Sequence, residues 1–296
     1  HAPKVFSYKN CQTGLLLIAF GLFKKIVIAD RLAVYVNGVY GDIPSAGGIS
    51  ILVAVLFFAF QLYFDFSAYS DIAIGSARLL GFELMTNFRR PYLSKSFSEF
   101  WTRWHISLSS WFRDYVYFPL GGSRRGTRRT MINVMIVFLL SGLWHGASWN
   151  FVIWGGVNGL FLIIFDRIFK LEQPGNIKKY LAPAFIFCSW AVSLIFFRAQ
   201  TFADAISVFT HAGFAGSDLI YNFGLKAPEL KFAFFMLAAS MLYELLAEKK
   251  GEKLAVWFYN KPVIVRWSLY LAIVFSIIYL GSYGSSNDNT FIYFQF

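Results

Sequence analysis

The segment MINVMIVFLLSGLWHGASWNFVIWG, residues 131–155, decides the fold of this chain. An apolar run leads directly to His145, small residues surround this histidine, and a second apolar run follows. An ionisable side chain at the end of a buried membrane helix indicates a functional site. The segment therefore predicts two apolar helices joined by a turn that carries a functional histidine.

The basic residues that flank this hairpin set its expected depth. Basic loops favour the cytoplasmic side, and they occur both at residues 123–129 and after residue 166. The fourteen residues 131–144 span about 21 Å as a helix, less than the roughly 30 Å of bilayer hydrocarbon. We therefore expect the turn at His145 to lie within the membrane, where irregular backbone must be buried in protein or line a watery cavity.

The composition is that of an integral membrane protein. Hydrophobic residues make up 57% of the 296 residues and charged residues 15%, whereas soluble domains carry about 25% charged residues. Several apolar runs recur, which excludes a signal peptide followed by a soluble domain. The fold class that we expect is an all-α, polytopic membrane helix bundle, with broken or re-entrant and amphipathic interfacial helices, in one domain over residues 1–296.

The net charge of +11 fits a membrane protein better than a nucleic-acid-binding protein. The 27 basic and 16 acidic residues are arranged so that the basic ones lie between apolar runs, as in cytoplasmic loops. We therefore expect membrane lipid and no nucleic acid as a partner. Cys11 and Cys188 have no CxxC spacing, so neither a disulfide framework nor a metal site is predicted.

Apolar runs predict five further membrane helices. In the first of them, Lys24 and Lys25 are expected to snorkel toward the interface. The predicted helices comprise residues 14–29, 49–64, 181–197, 230–247 and 264–281.

Polar residues follow the second of these helices, within residues 65–82. They predict a break or a second short helix, with Ser70 or Asp71 as its N-cap. Asp65 and Asp71 are candidate substrate-binding residues if they face the bundle interior. The alternative is that both acids are caps at the membrane interface.

A second Trp-His pair, Trp104-His105, lies in a segment that predicts one amphipathic helix after residue 96. Ser96 and Glu99 have capping-box spacing, and apolar residues recur every three or four positions up to Tyr115. His105 is either a partner of the functional histidine or a satisfied interfacial histidine.

The chemistry predicted for His145 is general-base catalysis. Neutral imidazole can accept a proton from a hydroxyl group, and the amide of Asn150 and the indole of Trp144 or Trp149 are donors for a developing oxyanion. Arg113 is a candidate for attracting an anionic substrate. The alternative for His145 is a structural histidine that bonds a backbone carbonyl.

Four long motifs resemble the membrane-bound O-acyltransferase family, in its bacterial alginate O-acetyltransferase branch. Members of that family carry further N-terminal membrane helices, so we expect this chain, which begins with His1, to be an N-terminally truncated member. The motifs are residues 63–75, 87–122, 138–155 and 291–296.

The resemblance implies that His145 is the catalytic histidine and His105 the second signature histidine. Trp104, directly before His105 in the sequence, is a further candidate for substrate binding. It implies a helix bundle around a central funnel, in the bacterial inner (cytoplasmic) membrane. No bound cofactor is implied; the acyl donor is acetyl-CoA or an acyl carrier derived from it. The acetyl group is passed to an extracellular, alginate-like polysaccharide through a periplasmic acetyltransferase or polysaccharide-assembly proteins.

Two alternatives remain open at the level of the sequence. The first is an enzyme of the same fold that transfers D-alanine to teichoic acid. The other is a membrane transporter or export channel, in which broken helices and buried acids also occur. The absence of paired half-repeats in the sequence weakens the transporter hypothesis.

Overall fold

The computed structural model describes residues 7–168, 178–214, 223–250, 261–283 and 291. Every regular element in these ranges is a helix, and six helices are long and apolar enough to cross a membrane. The prediction of an all-α, polytopic membrane bundle is therefore confirmed. The six spans are Tyr8–Gly41, Gly48–Leu79, Trp149–Asp166, Leu181–Arg198, Ala227–Lys250 and Val263–Leu280.

The residue contacts group the chain into two compact units, each built from separate stretches of sequence. One unit comprises residues 1–38, 60–86 and 222–295, and the other comprises residues 39–59, 87–221 and 296. The two candidate histidines belong to the second unit and the two candidate acids to the first.

The first unit contains α1 (Tyr8–Leu22), which continues through a π-helical segment (Phe23–Ala29) into α2 (Asp30–Gly41). Gly14 of α1 and Gly75 of the next helix face each other. A Cβ on Gly14 would lie 2.7 Å from the Gly75 carbonyl oxygen, and the reverse distance is 2.6 Å. Only glycine at both positions permits this backbone approach.

The next helix, α3 (Gly48–Leu79), runs for 32 residues without interruption. The predicted break after residue 64 and the predicted N-cap at Ser70 or Asp71 are therefore wrong. The acids in its second half do not end the helix, because each has a positive partner. Lys25 Nζ lies 2.6 Å from Asp65 Oδ1, and Lys24 Nζ lies 2.6 Å from Asp71 Oδ2.

The prediction that the two lysines snorkel is also wrong. Lys24 and Lys25 are 8% and 6% exposed, and Lys25 Nζ also lies 2.8 Å from Asp30 Oδ1. Lys24 Nζ donates to Ser67 Oγ as well, at 2.9 Å. Their charges are compensated inside the protein, so the side chains have no need to reach the interface.

We expect Lys25→Met to lower the free energy of unfolding by about 3–5 kcal/mol, because it removes the buried cation that pairs with both Asp30 and Asp65. Unfolding of the detergent-solubilised protein measures the change. Lys9→Met is the matched control, since Lys9 is an exposed lysine of the same helix run and should leave stability nearly unchanged. Equal effects of the two substitutions would contradict a stabilising role for the buried pair.

The first unit is completed by α10 (Ala227–Lys250) and α11 (Val263–Leu280). The hydroxyl of Tyr63 donates to Glu244 of α10. Gln12 Nε2 donates to the hydroxyl of Tyr270 of α11 at 3.0 Å. The two C-terminal helices therefore hydrogen-bond to α3 and α1. His1 and all of the terminal motif except residue 291 lie outside the described residues.

The second unit contains the remaining helices and the predicted hairpin. Its hairpin consists of α6 (Thr127–His145) and α7 (Trp149–Phe161), so that prediction is confirmed. Ser148 caps α7 by accepting from Asn150 N–H at 3.3 Å. The other α-helices in the described part of this unit are α4 (Phe97–Arg103), α5 (Ile106–Phe112), α8 (Lys178–Arg198) and α9 (Phe202–His211).

The single amphipathic helix predicted after residue 96 is wrong, because the structure has two short helices. The N-cap at Ser96 is confirmed, since its side chain accepts from Glu99 N–H at 3.0 Å. The helix is interrupted at His105, whose φ of 42° lies in the left-handed region. Asn87 stabilises the break, because its backbone carbonyl accepts from Ile106 N–H at 3.0 Å.

Candidate functional site

His105 and His145 line the same cavity, which has a volume of about 160 Å³. The two histidines are 40 residues apart in sequence, and the break after α4 and the end of α6 bring them together. Most of the remaining wall is aromatic or aliphatic, including Trp101, Phe138 and Trp154. The cavity is therefore an apolar space with two imidazole groups in its wall.

His145 is the last residue of α6 and is held by aromatic rings. The rings of Trp154 and Phe197 each lie 5.1 Å from the imidazole centroid at nearly perpendicular angles. The indole of Trp144 lies 5.0 Å away on another side. Ring packing therefore restricts the orientation of the imidazole, as a preorganised catalytic group requires.

His105 is buried and anchored by polar contacts at the start of α5. Its Nδ1 lies 3.3 Å from both Asn87 Oδ1 and Ser107 Oγ. The Asn87 oxygen also accepts from Ser107 N–H at 3.1 Å. A carbonyl oxygen opposite Nδ1 favours the tautomer with the proton on Nδ1, so Nε2 carries the basic lone pair.

Trp104, which was predicted to contact substrate, lines the cavity beside His105. It is 5% exposed and stacks on Phe100 with ring centroids 5.8 Å apart. Trp190 of α8 lies 4.9 Å from it. Trp104 thus forms part of a rigid aromatic wall.

Arg113 also borders the cavity, but from an exposed position. Its Nε lies 2.8 Å from Asp114 Oδ1, and its hydrogen bond lowers the pKa of the Asp114 carboxyl. Arg113 therefore carries a positive charge at the cavity that Asp114 partly compensates. A role in attracting an anionic substrate stays a prediction.

Two predicted oxyanion donors, Asn150 and Trp144, are not part of the cavity wall. Asn150 is 3% exposed, and its Nδ2 donates to the carbonyl of Ala199 at 2.9 Å. Trp144 is 47% exposed, although its ring contacts both His145 and, at 6.5 Å, His105. Asn150 thus ties the hairpin turn to the end of α8, and Trp144 packs behind the histidines.

The candidate acids Asp65 and Asp71 lie in the first unit, in ion pairs with Lys25 and Lys24. Neither caps a helix, so the interpretation as interfacial caps is wrong. Contact with substrate stays a prediction for both. No group of three potential metal ligands occurs within the described ranges of the chain.

Sequence reasoning missed three residues of the site: Asn87, Trp101 and Trp154. Trp101 is four residues before His105, a helical spacing that indicated a shared face. Asn87 and Trp154 gave no local signal, because each reaches its histidine only through the folded chain.

Comparisons with known proteins agree with the resemblance in the motifs. The model of the membrane-bound O-acyltransferase family matches residues 3–204. Probable alginate O-acetylase AlgI of Pseudomonas putida is 45% identical over 180 residues, which are 61% of this chain and 37% of that protein. The peptidoglycan O-acetyltransferase of Helicobacter pylori is 38% identical over 208 residues, or 68% of this chain and 39% of that protein.

A more distant relative is the teichoic acid D-alanyltransferase of Streptococcus thermophilus. It is 38% identical over 176 residues, which are 56% of this chain and 42% of that protein. The aligned region thus covers less than half the length of each of these three relatives.

Proposed function

Because this chain belongs to the membrane-bound O-acyltransferase family, we propose that it forms the catalytic part of a multi-pass membrane O-acetyltransferase. The acceptor is a hydroxyl group of an extracellular polysaccharide. The donor is cytoplasmic acetyl-CoA or an acyl carrier derived from it, and the membrane is the bacterial inner membrane. The observation that carries the proposal is the single cavity lined by both histidines.

His145 acts as the general base in this proposal. It takes the proton of the acceptor hydroxyl while the hydroxyl oxygen forms a bond to the acyl carbonyl carbon. The tetrahedral intermediate then collapses, the carbon–sulfur bond of the thioester breaks, and the thiolate receives the proton from His145. The aromatic rings around His145 keep its imidazole in one orientation during both proton transfers.

His105, which lines the same cavity, assists His145. The Asn87 contact favours a neutral imidazole with a basic Nε2, which can accept a hydrogen bond from the acceptor hydroxyl or from a water molecule. Its contribution is to orient the hydroxyl toward the acyl group. A periplasmic acetyltransferase or polysaccharide-assembly protein is the partner that presents the polysaccharide hydroxyl to this site.

The cavity volume favours a short acyl group. About 160 Å³ is close to the roughly 150 Å³ of an apolar protein cavity that holds one benzene molecule. An acetyl or propionyl group fits such a space, whereas a long lipid chain does not. The proposal therefore favours acetylation over lipid acylation.

We expect the transfer rate to fall at least about 10-fold between acetyl and octanoyl donors, because an octanoyl chain exceeds the cavity volume; a tenfold change corresponds to about 1.4 kcal/mol in the activation free energy. Initial rates with acetyl, butyryl and octanoyl thioesters of the same carrier measure this selectivity. Equal rates with all three donors would contradict a cavity that limits the length of the acyl chain.

Reconstitution of the full-length protein in liposomes tests the function. With a labelled acetyl thioester on one side and a polysaccharide acceptor on the other, labelled ester should appear on the polymer. Mass analysis of the polymer separates acetyl from D-alanyl ester, the group expected from the similarity to the D-alanyltransferase. Solute flux without acyl transfer would favour the transporter hypothesis instead.

A further inference from the structure

We propose that the indole N–H groups of Trp101 and Trp154 bind the carbonyl oxygen of the acyl group during transfer. This inference rests on the proposed function and deepens it, because it assigns the oxyanion-binding groups. They differ from the donors that the sequence indicated, since Asn150 donates to Ala199 and does not border the cavity.

Both indoles are in the cavity wall, and both have an unused donor. Trp101 and Trp154 line the cavity, and the Nε1 atom of each is buried without a hydrogen-bond partner among the residues that the structure describes. Trp154 is only 3% exposed. Buried N–H groups nearly always have an acceptor, so two such donors in one cavity indicate a ligand that brings an acceptor oxygen.

The two indoles and the two histidines line the same cavity. The Trp154 ring is perpendicular to the His145 imidazole, with centroids 5.1 Å apart. Trp101 lines the same cavity as His105. The centroids of the two indoles are 6.3 Å apart. An acyl group in the cavity would therefore meet a base and two N–H donors within the same small volume.

Packing holds both indoles in place before any substrate enters. Trp101 has the ring of Phe138 at 5.0 Å and that of Trp190 at 5.7 Å, both nearly edge-on. The Trp154 ring contacts Phe197 at 5.1 Å and Trp190 at 6.0 Å. Donors that are fixed in advance stabilise a developing charge without reorganisation at the moment of reaction.

The chemistry requires no proton from the indoles. When the acceptor oxygen bonds to the carbonyl carbon, the carbonyl π electrons move onto oxygen, and that oxygen becomes an alkoxide. Two N–H groups then donate stronger hydrogen bonds than they give to the neutral carbonyl. The hydroxyl proton goes to His145, and the negative charge moves to sulfur when the thiolate leaves.

Trp190 provides a matched control in the same aromatic cluster. Its Nε1 is also buried without a partner in the described part of the chain, it is 2% exposed, and it contacts both indoles. It is not a residue of the cavity wall. Loss of its N–H therefore tests packing and burial alone.

The experiment replaces Trp101, Trp154 and Trp190 of the full-length protein, one at a time, with phenylalanine and, separately, with β-(3-benzothienyl)alanine. The second residue keeps the bicyclic shape of the indole but lacks its N–H. We expect Trp101 and Trp154 replacements to lower kcat by about 100-fold, as for other single oxyanion donors, with KM for the donor within about threefold. The benzothienyl replacement of Trp190, which keeps the packing against both indoles, should keep kcat within about twofold.

A ketone analogue of the acetyl donor gives a second measurement that does not depend on turnover. Its carbonyl stretching frequency should fall on binding to the wild-type protein and rise again in the benzothienyl variants at positions 101 and 154. An unchanged frequency and an unchanged kcat in these variants would overturn the inference, as would equal losses at positions 101, 154 and 190. Absence of acyl transfer by the wild-type protein would instead refute the proposed function.

Discussion

Replacing His145 with alanine is expected to lower the rate of acyl transfer by about 100-fold to 10,000-fold, the usual contribution of a general base. The imidazole of His145 is half-buried and contacts the rings of Trp144 and Trp154. None of the turn residues 146–148 has a side chain that takes up a proton near neutral pH. The measurement is the initial rate of polymer acetylation by equal amounts of membrane-inserted protein.

His211→Ala is the control for this substitution. His211 is exposed at the end of α9, and its Nδ1 lies 2.9 Å from the Ser207 carbonyl oxygen of its own helix. We expect acetylation by this variant to equal that of the wild type. Wild-type rates in the His145→Ala variant would refute its assignment as the base, and the structural interpretation of this histidine would replace it.

The second large effect is expected at the glycines between α6 and α7. A Cβ on Gly142 would overlap the carbonyl oxygen of Phe151, and a Cβ on Gly155 would overlap that of Phe138. These neighbours are backbone atoms, so the helices themselves must separate. We expect Gly142→Ala and Gly155→Ala each to lower the free energy of unfolding by at least about 1–3 kcal/mol, the usual cost of overpacking.

Gly156 provides the matched control on the same helix. A Cβ at this position would lie 3.5 Å from the Leu139 side chain, which is an ordinary contact. Alanine favours a helix over glycine by about 1 kcal/mol, so Gly156→Ala should keep or raise stability. Thermal unfolding in detergent micelles measures all three variants. Equal melting temperatures for Gly142→Ala and Gly156→Ala would contradict close contact of the two helices.

The same substitutions should also affect the site. His145 is three residues after Gly142, and Trp154 is directly before Gly155. Separation of α6 from α7 therefore moves the imidazole away from the indole that packs against it. We expect the transfer rate of any Gly142→Ala protein that remains folded to fall as well, whereas Gly156→Ala should retain it.

Features with local signals could be predicted from the sequence. The hairpin followed from two apolar runs and a turn of small residues, and Ser96 was correctly placed as an N-cap. The pair of Glu99 and Arg103, four residues apart on a helix, was also predictable and has a separation of 2.6 Å. Each of these features depends on residues within one or two helical turns.

Features that depend on distant partners could not be predicted. Polar residues within α3 indicated a break, but lysines about 40 residues earlier compensate the acids there. The sequence predicted one amphipathic helix, but the structure interrupts it at His105, which contacts Asn87, 18 residues earlier. Trp154 likewise joins the cavity only because α6 and α7 are antiparallel and tightly packed. In each case the deciding interaction is a tertiary contact.

The buried ion pairs of the first unit have a consequence for biogenesis. Lys24 precedes Asp71 by 47 residues and Lys25 precedes Asp65 by 40 residues, so both lysines leave the ribosome before these acids of α3. A lone charge at the bilayer centre costs about 2.5–3.5 kcal/mol, and this cost disappears when lysine and aspartate enter together. The first helical span should therefore wait at the translocon until α3 has been synthesised, and the two should pass into lipid as a pair.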